Sequence, residues 1–212
     1  MREGTAPYLA HYRELIDRVG AVFEATGWRS REFQEERFRV MAEMEDFTGA
    51  RVIDAGAGQA DFASFLIARG EAPERLIALD AMPEMVEAIR KRGMRGVESH
   101  VCDFAGRECS DAFTRFGPVD AIVFSGSLNT LEESHAKQVL EHAWRATGRS
   151  LVFNFLSDRA PAELLARPTE PAHRFDTAGL VSWALDRTPG VWFRHDYLGG
   201  HDATIAMVKL DA

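Results

Sequence analysis

Apolar and polar positions divide the chain into three zones. Over residues 1–49 the apolar residues recur near helical spacing: Tyr8, Tyr12, Leu15, Val19, Val22 and Phe23. Pro7 suits a first helical turn. Gly27-Trp28 interrupts, and Ser30 then opens a second helix. Phe33, Arg37, Val40, Met41 and Met44 share one side of it, with Glu35, Glu36, Arg39 and Glu43 mostly on the other.

From residue 50 the period changes. Short β-branched or apolar runs at Arg51-Val52-Ile53, Leu76–Leu79, Val97–Cys102, Val119–Phe124 and Leu151–Phe155 predict strands. Between them lie helical stretches at Ala60–Ala68, Pro83–Lys91 and Leu131–Ala146, ended by Gly70, Gly93 and Gly148. This alternation predicts βαβ units and a parallel sheet. Residues 157–212 break it. Pro161, Pro168 and Pro171 mark a surface loop, and Asp176 or Thr177 caps a helix to about Arg187. Val191–Leu198 and Ala203–Leu210 read as two strands joined through Gly199-Gly200-His201-Asp202, short enough for a hairpin. The expected fold is α/β: a doubly wound, mostly parallel seven-stranded sheet with an antiparallel last strand and helices on both faces.

The length of 212 residues fits one domain over 1–212, with a helical segment at 1–49, a sheet core at 50–156 and a loop, helix and hairpin at 157–212. A content of 46% hydrophobic and 27% charged residues is ordinary for a globular protein and excludes disordered and disulfide-scaffold classes. Lys and Arg total 25 against 33 Asp and Glu, a net charge of −8. The densest basic run, Arg90-Lys91-Arg92 with Arg95, reads as a helix C-terminus, where cations belong. No nucleic-acid partner is expected. Cys102 and Cys109 lack CxxC spacing and read as buried thiols of a reducing compartment. Met1–Leu15 is broken by charges and has no apolar core of a leader, and no apolar stretch approaches the ~20 residues of a membrane span. A cytoplasmic protein without a membrane partner is expected.

The chemistry concentrates at Val52-Ile53-Asp54-Ala55-Gly56-Ala57-Gly58-Gln59-Ala60-Asp61, where a strand runs through a two-glycine turn into a helix. Glycines admit a ligand close to the backbone. About 22 residues past Gly58, Asp80 ends the second strand, where a carboxylate accepts hydrogen bonds from ribose hydroxyls. A dinucleotide fingerprint needs a third glycine, and Asp61 stands there instead. A pyrophosphate beside Asp54 and Asp61 would also be repelled, each like-charge pair at ~4 Å costing about 4 kcal/mol at an effective dielectric of about 20. A cationic sulfonium would be tolerated or favoured in that place. Asp61 has a second reading, as a complement to the helix dipole.

These residues resemble the class I S-adenosylmethionine-dependent methyltransferases over residues 50–156. Asp54-Ala55-Gly56-Ala57-Gly58 is similar to the family's first motif and Asp80-Ala81-Met82 to the second. The resemblance implies Asp80 on the ribose and Met82 beside the adenine. Cys102-Asp103-Phe104 is similar to the adenine-contacting motif, with Asp103 accepting from the exocyclic amine. Ser125-Gly126-Ser127-Leu128-Asn129 stands where the family's fourth-strand loop lines the transfer site. It replaces the Asp/Asn-Pro-Pro-Tyr element of base and glutamine methylation, which moves weight to a small-molecule acceptor. The family's N-terminal helices often form a lid, so residues 1–49 are expected to be one.

The resemblance thus implies S-adenosylmethionine as cofactor, in-line methyl transfer, and cofactor contacts from Arg37, Asp54, Ala55, Gly56, Gly58, Asp61, Asp80, Ala81, Met82, Asp103, Phe104 and Ser125. Trp28, Ser127 and Asn129 are the candidate acceptor contacts. Arg37 could pair bidentately with the methionine carboxylate, or make an ion pair with Asp54 or Glu45. Tyr8, Tyr12 and Trp28 could roof the site or pack in the core. Tyr12, His135 and His195 are candidate bases. His195 and His201 flank the hairpin beside Asp196 and Asp202, but too few ligands converge for a metal. Two other readings are a nicotinamide-dependent oxidoreductase and a catalytically silent cofactor-binding relative.

Overall fold

The computed structural model describes residues 6–106 and 111–210. Cys109 lies outside these residues; Cys102 is buried at the end of the third strand. The strands are β1 (Arg51–Ala55), β2 (Arg75–Asp80), β3 (Val97–Val101), β4 (Val119–Phe124), β5 (Thr147–Ser157), β6 (Arg174–Phe175), β7 (Gly190–Arg194) and β8 (Asp202–Val208). The helices are α1 (Ala10–Val19), α2 (Arg31–Met44), α3 (Asp61–Arg69), α4 (Pro83–Arg92), α5 (Glu133–Ala146), α6 (Ala162–Leu165) and α7 (Thr177–Leu185). Seven strands run in the order β3-β2-β1-β4-β5-β8-β7, and the two-residue β6 pairs with the end of β5. Within that order β8 alone opposes its neighbours.

Alternation along each strand sends side chains to two faces. Ile53, Ile77, Ile122, Leu151 and Ile205 meet α5 and α7 through Val139, Leu140, Leu180 and Ala184. Val52, Leu76, Val123, Val152 and Ala206 meet α2, α3 and α4 through Met41, Leu66 and Ile89. The sheet is therefore doubly wound, and its interior strands bury nearly every residue. Leu15, Ile16 and Ala25 pack the N-terminal segment onto Met82 and Met85 of the β2–α4 region.

Several local expectations are corrected. The first helical zone is split: a 3-10 turn at Pro7–Leu9, then α1, then a second 3-10 turn at Phe23–Thr26. Gly148 does not close α5. Thr147 is already extended and starts β5, its hydroxyl donating to the carbonyls of Asp120 and Ser150 at 2.8 Å. A side chain at Gly148 would press on the Val119 carbonyl, so glycine there serves close strand approach. The proline-rich stretch carries α6 and β6 rather than loop alone. The last strands do not meet in a tight hairpin, since β7 ends at Arg194 and an arch with a 3-10 turn at Leu198–Gly200 leads to β8.

Candidate functional site

The parallel strands end at one edge, where loop backbones must turn over the sheet. After β1, Gly56 adopts φ +82°, and a side chain on it would run into Ser127. The N–H groups of Gly56 and Ala57 both donate to the Leu79 carbonyl, at 2.8 and 2.9 Å. The N–H of Gly58 donates to one oxygen of Asp80 and that of Met82 to the other, each at 2.9 Å. Asp80 thus ties the glycine turn to the start of α4 and keeps spare acceptor capacity on both oxygens.

Asp54 is 2% exposed, and no hydrogen bond from the described residues acts on its carboxylate. Burial, then the charges of Asp80 and Asp61, push its pKa up to about 7. Burial pushes Asp80 up to about 6, against the lowering effect of its two N–H donors. Asp61 pairs with Arg92 at 2.8 Å on the outer side of the turn. Asp103 accepts from the Tyr8 hydroxyl at 2.7 Å and from the N–H of Ala105 at 3.2 Å.

A cavity of about 500 Å³ gathers these groups under the N-terminal segment. Its lining includes Arg37, Asp54, Gly56, Gly58, Asp80, Ala81, Met82, Asp103, Phe104 and Ser125 of the expected cofactor residues, and Trp28, Ser127 and Asn129 of the expected acceptor residues. Ala55 is buried at the end of β1 behind the turn, and neither it nor Asp61 lines the cavity. The Ser125 hydroxyl is buried and has no hydrogen-bond partner among the described residues. Ser127 donates to the Ala55 carbonyl at 2.5 Å, and Asn129 Oδ1 accepts from the N–H of Leu156 at 3.2 Å. Both shape the β4 loop.

Of the candidate bases, Tyr12 lines the cavity beside Thr130, but burial and the charge of Asp80 push its pKa up to about 12, so it stays a phenol at neutral pH. His135 lies outside the lining, its Nε2 on the Ala105 carbonyl at 2.8 Å and its ring edge against Tyr8. His195 is also outside, bonded to the Gly200 carbonyl at 2.9 Å. Among the described residues no group of three metal-binding side chains exists.

Arg37 makes an ion pair with neither Asp54 nor Glu45, the two protein partners weighed from the sequence. It is buried in α2, and its Nε and Nη2 donate to the two oxygens of Asp202 at 2.8 Å each. Nη1 donates to the Phe33 carbonyl at 2.8 Å, and the guanidinium lies 4.6 Å from the Trp28 ring centre. One N–H on each Nη remains for the cavity. Asp202 and the adjoining His201, which lines the cavity, are the residues the pattern missed as an Arg37 partner and a site group. The only sequence signal was an acid beside a histidine at a strand start.

Chemically, the edge offers carboxylates with unfilled acceptor capacity, an unpartnered hydroxyl and a backbone cleared of Cβ atoms. Such a cradle suits a ligand that brings hydroxyl donors and positive charge.

The family model for a methyltransferase domain matches residues 52–149. No curated protein sequence matches the chain. The fold is similar to the magnesium protoporphyrin IX methyltransferase of Synechocystis PCC 6803 with bound SAH, at a TM-score of 0.66 and 15% identity over 94% of this chain and 93% of that one. It is similar to an O-methyltransferase family protein from Burkholderia thailandensis, at 0.71 and 18% over 93% of this chain and 61% of that one. A SAM-dependent methyltransferase from Archaeoglobus fulgidus aligns at 0.65 and 15%, over 85% and 95%.

Proposed function

We propose, from the premise that residues 52–149 form a methyltransferase domain on a class I, Rossmann-like sheet, that this chain transfers a methyl group from S-adenosylmethionine to a small-molecule acceptor. The observation that carries this reading is the buried Asp54 with the half-buried Asp80 beside the cleared Gly56 turn. Two acids raised to about 7 and about 6 in one cavity call for an incoming cation and hydroxyl donors. A pyrophosphate would aggravate their repulsion, which counts against a nicotinamide cofactor.

Bound there, S-adenosylmethionine supplies a methyl group already activated on a cationic sulfur. The chain's own work is to bind, align and exclude water. The free lone pairs of Asp80 accept from ribose hydroxyls. Asp103, oriented by Tyr8, accepts from the exocyclic amine, with Met82 and Phe104 on the ring. The two remaining N–H groups of Arg37 face the methionine carboxylate. Trp28, Ser127 and Asn129 shape the acceptor end. Holding nucleophile and methyl in line can remove roughly 7–11 kcal/mol of barrier.

Calorimetric titration tests the cofactor: S-adenosylhomocysteine binds and NADH does not. Binding of NADH alone overturns the reading. An acceptor panel of small phenols, alcohols, amines and thiols, with tRNA and a peptide library alongside, then reports released S-adenosylhomocysteine. Turnover confined to the macromolecules overturns the small-molecule assignment, and none at all favours a silent relative.

A further inference from the structure

Trp28, Arg37, Asp202 and His201 form one continuous string along the cavity wall beside the end of β5. Asp202 is fully buried and takes both arms of Arg37 and Nδ1 of His201, the last at 2.8 Å. Arg37 already balances the carboxylate charge. With Nδ1–H donating to Asp202, the tautomer this contact selects, the Nε2 lone pair is left unshared. Among the described residues Nε2 has no hydrogen-bond partner, and the residue lines the cavity. The backbone is fixed as well: the His201 carbonyl accepts from the N–H of Ser157 at 3.1 Å and from Arg174 at 3.4 Å. Asp202 faces the ring and carries Arg37; Arg174 donates to the His201 carbonyl, and the Asp202 charge also reaches Arg174 and Tyr197.

We infer that His201 is the general base of the proposed transfer, that Asp202 is its positioning residue, and that the acceptor is an aromatic hydroxyl. The inference rests on the methyl-transfer reading above. A proton must leave the nucleophile when an O–H is methylated. A neutral imidazole (~6.5) is far better matched to a phenol (~10) than to an alkyl alcohol. Trp28 and Phe33 supply flat apolar walls for a ring. In the step, the phenolic oxygen forms a bond to the methyl carbon and the carbon–sulfur bond breaks with its pair left on sulfur. The hydroxyl proton ends on Nε2 and passes to water after release.

The test combines binding, tautomer and turnover on the full chain. In ¹⁵N-detected NMR at pH 7.5, His201 is expected to be protonated on Nδ1 and bare on Nε2. An Nε2–H tautomer, or an imidazolium across pH 6–8, overturns the inference. His201→Gln is expected to bind S-adenosylhomocysteine within threefold of wild type. It is expected to lose about 10²-fold or more in kcat on phenols, with the wild-type limb of the pH profile gone. Asp202→Asn is expected to alter the tautomer and the pH profile together; His201→Gln decides the question if that variant fails to fold. Retained kcat and pH profile in His201→Gln overturn the inference. So does a wild type that binds S-adenosylhomocysteine but turns over no phenol. Failure of the wild type to bind S-adenosylhomocysteine is a different result and removes the methyl-transfer reading itself.

Discussion

Asp54 is the residue at which folding and function pull in opposite directions. Its ordinary carboxyl value is 3.8 and its folded value about 7, so the folded state holds a proton that the unfolded chain gives up between these limits. Stability linked to this group is greatest at low pH and is lost as pH rises from about 4 to 7. Asp54→Asn is therefore expected to melt higher than wild type at pH 8, with the gap closing toward pH 4; a lower melting point at pH 8 refutes the assignment. Binding a cation runs the other way. Affinity for S-adenosylmethionine is expected to rise from pH 5.5 to 8 more steeply than affinity for the neutral S-adenosylhomocysteine, as parallel calorimetric titrations will read. Asp80→Ala removes a charge-assisted acceptor and frees two N–H donors, so both ligands should weaken by about 1–3 kcal/mol. Unchanged affinity in the folded variant removes the ribose role. Arg37 shows the limit of reading at this scale. Its helical side was visible, but its partner lies 165 residues away, and no local pattern encodes such a pairing.

At the scale of elements, the two loops over the sheet edge are set by backbone conformations that only glycine takes freely. Gly126 has φ +70°, and a side chain there would meet the Trp28 ring. Gly126→Ala is expected to push Trp28 aside and raise acceptor KM several-fold while S-adenosylhomocysteine affinity stays within threefold. An equal loss of both would place Trp28 on the cofactor instead. Strands β1, β2 and β4 and helix α2 were legible because burial on one or both faces writes a period into the chain, and Ser30 caps α2 through the N–H of Phe33. The α5–β5 junction was not, because a glycine at Gly148 signals a helix stop equally well as a close strand contact. Nor was β6, whose two residues are too few to carry a period. The motif residues at the ends of β1 to β4 were legible as a set, since each follows a recognisable strand. His201 and Asp202 were weighed only as metal ligands, because the arch that delivers them reads as a turn.

For the whole molecule, the N-terminal segment is held over the sheet edge by side-chain contacts, among them the Tyr8–Asp103 hydrogen bond, and not by strand pairing. Its apolar contact rests on Leu15, Ile16 and Ala25 against Met82 and Met85, with the exposed Arg13–Glu84 pair at 2.8 Å beside it. Exposed pairs contribute little, so this segment should open more easily than the sheet. Hydrogen exchange across Pro7–Thr26 is expected to be fast in the free protein and markedly slowed by S-adenosylhomocysteine, while β1 and β4 are protected in both. Equal exchange with and without ligand would deny the segment a covering role. The reversed strand β8 has a consequence of another kind. Because it runs against its neighbours, it brings Asp202, a residue made late, to the edge where β5 ends. In order of synthesis, the guanidinium of Arg37 waits 165 residues for its counter-ion. The half of the cavity built on β1 and β2 can take shape early, whereas the half around Arg37 is completed only when the chain's last strand slots in. Without β8 the Arg37 guanidinium would be left buried with no carboxylate beside it, an uncompensated charge that only the late strand removes.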